Sequence, residues 1–266
     1  MRLNQYIAHS GLCSRREADQ YIKSGKVTIN NKPIESIAVM IAETDLVRVE
    51  GKIIRPEKKA YILLNKPKDY ITTTDDEKDR KTVLDLVAPQ LNNIPQYKGI
   101  RLYPVGRLDR NTSGLILLTN DGELTQSLTH PKFNIEKIYI ATLDKKLADI
   151  DYQKIAAGIE LEDGMMTVDE VAFPDPSDKT KVGIAIHSGR NRIVRRIFEH
   201  LGYEVKYLDR IVYAGLTKKD LARGKWRALK TEEIAMLKNK GKKNPMISIL
   251  EKKAKRTKDF RKPRKD

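Results

Sequence analysis

After residue 60, this chain has several short apolar runs typical of buried strands, and these are followed by a segment whose apolar residues have helical spacing. The strand-like runs are residues 61–64, 101–105, 115–119, 138–143 and 182–186. Between the first two of these runs, residues 72–80 are predicted to be a polar loop, and residues 82–87 a short helix before Pro89. The helical spacing is carried by Ile193, Val194, Ile197, Phe198 and Leu201, and Gly202 follows as a stop signal. Since such alternation is typical of mixed domains, we predict an α+β domain over residues 61–237.

Residues 1–55 have the pattern of a separate small module. Ser14 and Glu17 have the spacing of a capping box, and the helix that they open is predicted to stop at Gly25. Residues 27–29 alternate as a strand, Asn30-Asn31 supplies a turn, and residues 46–49 form another short strand. The predicted order is therefore helix, helix and a small β ribbon, followed by a linker at residues 56–60.

The positive charge of the chain is unevenly distributed. The net charge is +16, and residues 238–266 hold 13 basic and 3 acidic residues, which is +10 of that total. We predict a mostly disordered tail there. A basic balance of this kind favours a polyanionic partner, of which nucleic acid is the commonest, and a purely solubilising tail is the alternative.

Several classes of protein are disfavoured by composition. The single cysteine, Cys13, excludes a disulfide framework, and four scattered histidines make a zinc cluster or other metal site implausible. The N-terminus does not build the apolar stretch of a signal peptide, and no apolar run approaches the length of a membrane span. We therefore expect a cytoplasmic protein without a membrane association.

One carboxylate, Asp109, stands in the segment 106–114 between two predicted strands. Gly106 permits tight backbone geometry, and the flanking Arg107 and Arg110 favour the ionised carboxylate. Such a group suits a nucleophile or an electrostatic stabiliser better than a general acid. The alternative is a surface ion pair at the end of a hairpin.

A second polar segment, residues 187–198, runs from a strand through a glycine-containing loop into a helix. Arg192, Arg195 and Arg196 are predicted to lie off the apolar stripe of that helix, near its N-terminus. Guanidinium groups at a helix N-terminus would form a clamp for a phosphate or a carboxylate. The alternative is a solvated face in which Arg195 pairs with Glu199.

These segments carry two resemblances to known families. Residues 2–7, 14–19 and 25–30 resemble an S4 RNA-binding domain. Residues 105–109, with 112–115 and 118–122, resemble the catalytic motif of pseudouridine synthases, and residues 136–139 and 189–196 resemble their tyrosine and arginine motifs. Residues 207–211 and 224–229 continue the match, although Ile193 stands where many relatives have glutamine. Together they resemble the ribosomal RNA branch of the family, the RsuA/RluB/RluE/RluF group.

The resemblance implies a fold and an activity. The fold would be two helices on a β ribbon, followed by a domain with a mixed, mainly antiparallel sheet and flanking helices. The enzyme would isomerise a uridine of ribosomal RNA to pseudouridine without a cofactor, with the large-subunit (23S) RNA favoured over the small-subunit (16S) RNA. Its partner would be ribosomal RNA or a ribosomal precursor particle, bound by a monomer.

The resemblance also implies roles for individual residues. Asp109 would act at C1′ of the target nucleotide, Arg195 would pair with it, and Tyr139 would pack against the base. The remaining substrate contacts would be made by Arg107, Leu208, Arg192, Arg15 and Arg16. Arg107 would fill the space that the flipped uridine leaves, and Leu208 would form an apolar wall.

Two rival functions remain open from the sequence. A non-catalytic ribosome-assembly factor on the same fold would have no need of Asp109, Tyr139 and Arg195 together. A glycoside hydrolase using Asp109 would need a second carboxylate, for which Asp121 is the nearest candidate in sequence.

Overall fold

The computed structural model describes residues 1–239, which begin with a small helical and β-ribbon module. Its elements are α1 (Leu3–His9), α2 (Arg15–Lys23), β1 (Val27–Ile29), β2 (Lys32–Ile34), β3 (Val47–Val49) and β4 (Lys52–Ile53). The strand order is β2-β1-β3-β4, and the paired strands are antiparallel. Residues from both helices and from β1 and β3 share one buried core, which includes the free thiol of Cys13.

Local signals in the sequence explain this module. The Ser14 hydroxyl accepts a hydrogen bond from the backbone N–H of Glu17, and the Glu17 carboxylate accepts one from the Ser14 N–H, so the predicted capping box is confirmed. Asn30 and Asn31 both have positive φ, at 52° and 68°, as a tight two-residue hairpin turn requires.

The rest of the described chain alternates strands and helices. In order these are β5 (Tyr61–Lys66), α3 (Val83–Leu91), β6 (Tyr103–Pro104), β7 (Thr112–Thr119), α4 (Gly122–Thr129), β8 (Lys137–Leu143), α5 (Asp149–Ala157), β9 (Ile159–Leu161), β10 (Gly164–Met166), β11 (Glu170–Ala172), β12 (Lys181–Ile186), α6 (Ile193–His200), β13 (Val205–Tyr213), β14 (Leu216–Thr217), β15 (Trp226–Ala228) and α7 (Thr231–Lys238). Short 3₁₀ turns occur at Pro95–Tyr97 and Pro131–Phe133.

The described residues divide into two compact units. The first contains Met1–Arg110, Ile116–Thr125 and Arg223–Ala228. In it, β5 lies next to β7 and pairs antiparallel with β15, and β6 pairs antiparallel with the end of β7. Every residue of β5 and of β7 is buried, as a strand in the middle of a domain requires.

The second unit contains residues 111–115, 126–222 and 229–239 of the described chain. Its strands follow the order β11-β12-β8-β13-β7, and only the first residues of β7 belong to this unit. The pairing is antiparallel except between β13 and β7, which are parallel. The predicted α+β class with a mixed, mainly antiparallel sheet is therefore confirmed.

The structure differs from the sequence prediction in several elements. The short helix expected to end before Pro89 continues to Leu91, because Val83, Val87 and Leu91 are buried along one side and hold the helix together through the proline. The strand expected at residues 101–105 is reduced to Tyr103–Pro104. The predicted tail lies outside the described residues, apart from Lys238 and Asn239. Across residues 1–239, no helix combines the length and the apolar character that crossing a membrane would need.

Candidate active site

Asp109 lies in a loop of the first unit whose entry is fixed by the sheet. Tyr103 and Pro104 pair with Thr119 and Leu118 of β7, and the Val105 N–H donates to the Leu117 carbonyl at 2.8 Å. Gly106 then adopts a φ of +74°, which turns the chain away from the strand. Asp109 itself is half-buried, and Arg107 is exposed.

Thr72 fixes the residue before Asp109. Its hydroxyl donates to the Leu108 carbonyl at 3.0 Å and accepts from the Leu108 N–H at 3.2 Å. The Leu108 side chain is 6% exposed, so both its backbone and its side chain are held. Sequence reasoning treated residues 72–80 as a polar loop and missed this anchor, because its partner lies 36 residues away.

The residue after Asp109 is held as firmly. The Arg110 carbonyl accepts from the Asp69 N–H at 3.0 Å and from the Nζ of Lys66, a fully buried lysine, at 3.3 Å. The Arg110 guanidinium donates to the Asp69 carboxylate at 3.2 Å. One of the two cations expected to favour the ionised Asp109 is thus bonded to a different carboxylate.

Tyr139 and Leu208 occupy one face of the sheet in the second unit. Tyr139 of β8 pairs with Arg210 of β13, and Ala141 of β8 pairs with Leu208. Because residues two apart on a strand share a face, the two side chains are diagonal neighbours on adjacent strands. Tyr139 is 8% exposed and Leu208 is 4% exposed, so both side chains are largely closed to water, and the buried Arg210 lies on the same face.

Gly114 permits β7 and β13 to approach closely. A Cβ at this position would lie 2.3 Å from the carbonyl oxygen of Arg210 and 2.4 Å from its nitrogen. Since its φ is +110° as well, only glycine fits there without strain. The glycine of the Thr-Ser-Gly-Leu motif therefore has a packing reason that is independent of chemistry.

Arg195 is buried, which corrects the prediction that it lies off the apolar stripe of α6. It is 7% exposed and belongs to the buried side of the helix. Its Nη1 donates to the Val205 carbonyl at 2.7 Å, and its Nη2 donates to the Asn111 carbonyl at 3.2 Å. Asn111 is two residues beyond Asp109 in the sequence, and it belongs with Arg195 to the second unit.

The neighbouring arginines form surface ion pairs. Arg192, with a φ of 48° at the start of α6, donates to Glu199 at 3.2 Å, whereas the sequence alternative paired Glu199 with Arg195. Arg196 makes a two-pronged contact with Asp163 at 2.6 and 2.9 Å. The three arginines expected to clamp one anion therefore point to different partners.

Lys137 is a residue of this region that sequence reasoning did not single out. Its Nζ donates to the carbonyls of Ile135, His187 and Ser188 at 2.9, 3.2 and 3.4 Å. Burial, followed by the charge of Arg210, lowers the pKa of Lys137 to about 8. Lys137 thus ties the strand of Tyr139 to the start of the loop that leads into α6. The sequence signal that could have identified Lys137 is its position two residues before Tyr139, on the same face of the strand.

Three further residues named from the sequence lie in the first unit but outside the Asp109 loop: Arg15, Arg16 and Asp121. Arg15 and Arg16 are exposed at the start of α2. Asp121 is 2% exposed and accepts from the Tyr61 hydroxyl at 2.8 Å and from Lys59 at 3.1 Å. Burial raises the pKa of Asp121, but these hydrogen bonds outweigh burial and lower it overall. Its position beyond the far end of β7 argues against a pair of hydrolytic carboxylates.

Within residues 1–239, histidine, cysteine, aspartate and glutamate do not come together in any group of three or more that could bind a metal ion.

Comparisons with known proteins agree with this organisation. The S4 domain profile matches residues 1–47, and the profile of RNA pseudouridylate synthases matches residues 60–200. The chain is 41% identical to ribosomal large subunit pseudouridine synthase B of Bacillus subtilis, over 89% of this chain and 95% of that protein. It is 35% identical to the dual-specificity RNA pseudouridine synthase RluF of Shigella flexneri, over 88% of this chain and 77% of that protein.

A solved structure extends the comparison to three dimensions. A crystal structure of a pseudouridylate synthase superposes with a TM-score of 0.61 and 29% sequence identity, over 89% of this chain and 99% of that one. The family matches span both the S4 module and the segments that carry Asp109, Tyr139 and Arg195. This chain therefore belongs to the RNA pseudouridine synthase family and is one of its members with an N-terminal S4 domain.

Proposed function

We propose that this enzyme isomerises a specific uridine of ribosomal RNA to pseudouridine, and that its substrate is the large-subunit (23S) RNA. The relative from Bacillus subtilis is named for the large ribosomal subunit, which supports this choice. The small-subunit (16S) RNA is the alternative target. We further propose that the enzyme acts in the cytoplasm as a monomer, on ribosomal RNA or on a ribosomal precursor particle.

The reaction that we propose breaks the bond between C1′ and N1 of the uridine. The detached base turns over and reattaches to C1′ through C5, after which the C5 proton is lost and N1 is protonated. Atoms and electrons balance without an oxidant, a reductant or water, so the reaction needs no cofactor. The enzyme has to supply an ionised group at C1′, a site that holds the detached base, and a space for a flipped nucleotide.

Asp109 is the group that we assign to C1′, either as a nucleophile or as an electrostatic aid to departure of the base. The observation that carries this assignment is that both neighbours of Asp109 are anchored, Leu108 by Thr72 and Arg110 by Asp69 and Lys66. A carboxylate held on both sides can be aimed at one atom with little loss of conformational entropy on binding.

Arg195 is proposed to hold Asp109 ionised and oriented. Two of its donors already bond to backbone carbonyls, one of them in the chain segment that leaves the Asp109 loop. A guanidinium fixed in this way is a preorganised positive charge in a dry environment, where its field acts more strongly than in water.

Tyr139 and Leu208 are proposed to bind the uracil ring. Their neighbouring, largely buried side chains suit a neutral base that must detach and turn over without being lost to solvent. Arg107, which is exposed in the same loop as Asp109, is proposed to fill the space that the flipped uridine leaves in the base stack. Arg192, Arg15 and Arg16 are proposed to contact phosphates of the RNA.

The test of this function is the variant Asp109→Asn, which keeps the size of the side chain and removes its charge. We expect pseudouridine formation to be abolished while folding and RNA binding are retained, because the anchors of Leu108 and Arg110 do not involve the Asp109 side chain. The assay is conversion of uridine in unmodified 23S and 16S transcripts. Normal turnover by this variant would contradict the proposal.

The target RNA is tested separately in cells. Mapping pseudouridines in ribosomal RNA with and without this protein would reveal the missing site, which we expect in the large-subunit RNA. If no uridine in either subunit changed, a non-catalytic assembly factor on the same fold would be the better assignment.

A further inference from the structure

The segment after residue 55 is bonded to the end of the first helix. The Glu57 N–H donates to the His9 carbonyl at 2.8 Å. Gly11 has a φ of +76°, and a Cβ on it would lie 2.1 Å from Glu57 Oε1. The carboxylate of Glu57 thus packs directly on the Gly11 backbone. The residues that we predicted to be a linker therefore contact the S4 module directly.

The same carboxylate reaches the turn that follows β7. Glu57 Oε2 accepts from the side chain of Asn120 and from the Arg101 N–H, both at 3.4 Å. The Asn120 amide also donates to the Lys58 carbonyl at 3.0 Å, and its oxygen accepts from the Ala60 N–H at 2.9 Å. We call Glu57 and Asn120, with residues 58–60, the seat.

The seat places the proposed RNA-binding surface of α2 against the start of α4. The position of a Cβ on Gly122 is 3.3 Å from Arg15 Nη2 and 3.6 Å from His9 Nε2. Next to Gly122, Asp121 is bonded to Lys59 and Tyr61. The guanidinium of Arg15 therefore lies at the turn that ends β7.

Asp109 lies at the opposite end of the neighbouring strand. At one end of β5, Thr119 donates to the Ala60 carbonyl at 2.6 Å, and at the other end Lys66 donates to the Arg110 carbonyl at 3.3 Å. The six residues of β5 span about 20 Å at the usual rise of a strand. Arg15 and Asp109 are thus separated by roughly the length of a strand.

We infer that the seat makes the S4 module a fixed ruler, which selects folded RNAs that present backbone phosphates about 20 Å from the target uridine. This inference rests on the proposed roles of Asp109 and Arg15. A flexibly tethered module would accept many spacings, whereas a fixed one increases affinity only for an RNA that matches its spacing. Such a span covers roughly six base-pair steps at about 3.4 Å a step, so only a stem-loop with fewer base pairs than that is too short to reach both contacts at once.

The experiment compares two RNAs and three proteins. The RNAs are the full-length ribosomal transcript that the enzyme modifies and a minimal stem-loop that contains only the modified uridine. The proteins are the wild type, the double variant Glu57→Ala/Asn120→Ala, and the matched control Asp149→Ala/Lys179→Ala, which removes an exposed ion pair from the second unit. The readout is kcat and KM for pseudouridine formation on each RNA.

We expect the wild type and the control to prefer the long RNA by about tenfold or more in kcat/KM. The seat variant should lose that preference through a higher KM on the long RNA, with unchanged kcat and unchanged activity on the stem-loop. The inference would be contradicted if the seat variant kept the wild-type preference for the long RNA, or if the wild type showed no such preference.

A second variant covers the case in which the double variant does not fold, as judged by lost activity on the stem-loop. Glu57→Ala alone keeps the bonds of Asn120 to Lys58 and Ala60, and it should lose part of the preference by the same criterion. The outcome is separable from the proposed function, since the function fails if the wild type forms no pseudouridine on either RNA, whereas the inference fails if the wild type is active but the seat variant keeps the same preference between the two RNAs.

Discussion

Arginines occur in two very different settings in this protein. On α2, Arg15 and Arg16 are exposed in the first helical turn. In the second unit, Arg195 and Arg210 are 7% and 3% exposed and donate to backbone carbonyls, in the case of Arg210 to that of Leu115 at 2.8 Å. The guanidinium of Arg210 also lies over the ring of Tyr213, 4.4 Å from its centroid.

The difference shows that arginines contribute to this basic protein in two ways, by attracting a polyanion and by holding the fold together. The exposed guanidiniums add to a long-range field that attracts a polyanion and is screened by salt. The buried ones hold strands and loops in position, and their removal leaves carbonyl groups without donors in a dry environment. We therefore expect substitutions in the two settings to change different measurements.

The largest effect is expected from Arg195→Met. Loss of the bonds to Val205 and Asn111 should lower the free energy of unfolding by about 3 kcal/mol. Pseudouridine formation should fall by at least about 100-fold, because a preorganised charge is lost. Denaturant unfolding and single-turnover kinetics on a ribosomal RNA transcript measure the two quantities.

Arg195→Lys serves as the control, since it keeps the charge but can replace only part of the planar donor set. It should recover part of the stability and little of the activity. Wild-type stability in Arg195→Met would mean that this buried guanidinium does not hold the fold.

An intermediate effect, confined to binding, is expected from Arg15→Ala/Arg16→Ala. Since both side chains are exposed, the free energy of unfolding should change by less than about 0.5 kcal/mol. RNA affinity should fall, and the slope of log K against log salt should decrease by about 1.5 as two phosphate contacts are lost. Filter binding over a salt series measures this slope.

The matched control is Lys154→Ala/Lys179→Ala, which removes two cations from the second unit. If it reduced the salt slope equally, then net charge and not the α2 surface would account for binding.

The smallest effect is a pH dependence at His9, whose pKa is lowered from its ordinary 6.5 by burial and then by the charges of Arg15 and Lys59. The unfolded chain therefore binds a proton at a higher pH than the folded chain does. Stability contributed by neutral His9 is present at neutral pH and is lost as the pH falls below about 6.5.

Unfolding midpoints of the wild type and His9→Gln at pH 7.5 and pH 5.5 provide the measurement. The wild type should lose more stability on acidification than the variant does. An equal loss in the two proteins would refute the contribution of His9 and would attribute the pH dependence to other groups.

The parts of the fold that follow local rules were predictable from the sequence. The capping box of Ser14, the asparagine turn of the ribbon, and the run from β12 into α6 were all predicted and confirmed. β13 was missed because its register shifts twice and its charged residues break the alternation of a strand. α5 and α7 were also missed, since each buries only one side chain, Ile155 and Leu237 respectively.

The site was predictable in its residue types and not in its contacts. Asp109, Tyr139 and Arg195 stood out through motif resemblance, and their catalytic roles remain proposals. The burial of Arg195 could not be predicted, because the pattern of a helix treats arginine as polar and its Asn111 partner lies 84 residues away. The anchors Thr72, Lys66 and Lys137 were missed for the same reason: each is defined by long-range bonds to carbonyl groups.

The single cysteine gives this protein a practical advantage for spectroscopy. Cys13 is buried in the core of the S4 module, and burial raises the pKa of its thiol, so little of the reactive thiolate is exposed to reagents. A thiol introduced at an exposed site by Arg107→Cys or Arg16→Cys would therefore take up a maleimide dye far faster than the native one. Paired dyes at two such sites would report the distance between the Asp109 loop and the S4 module in the free protein, without removal of any native residue in the core.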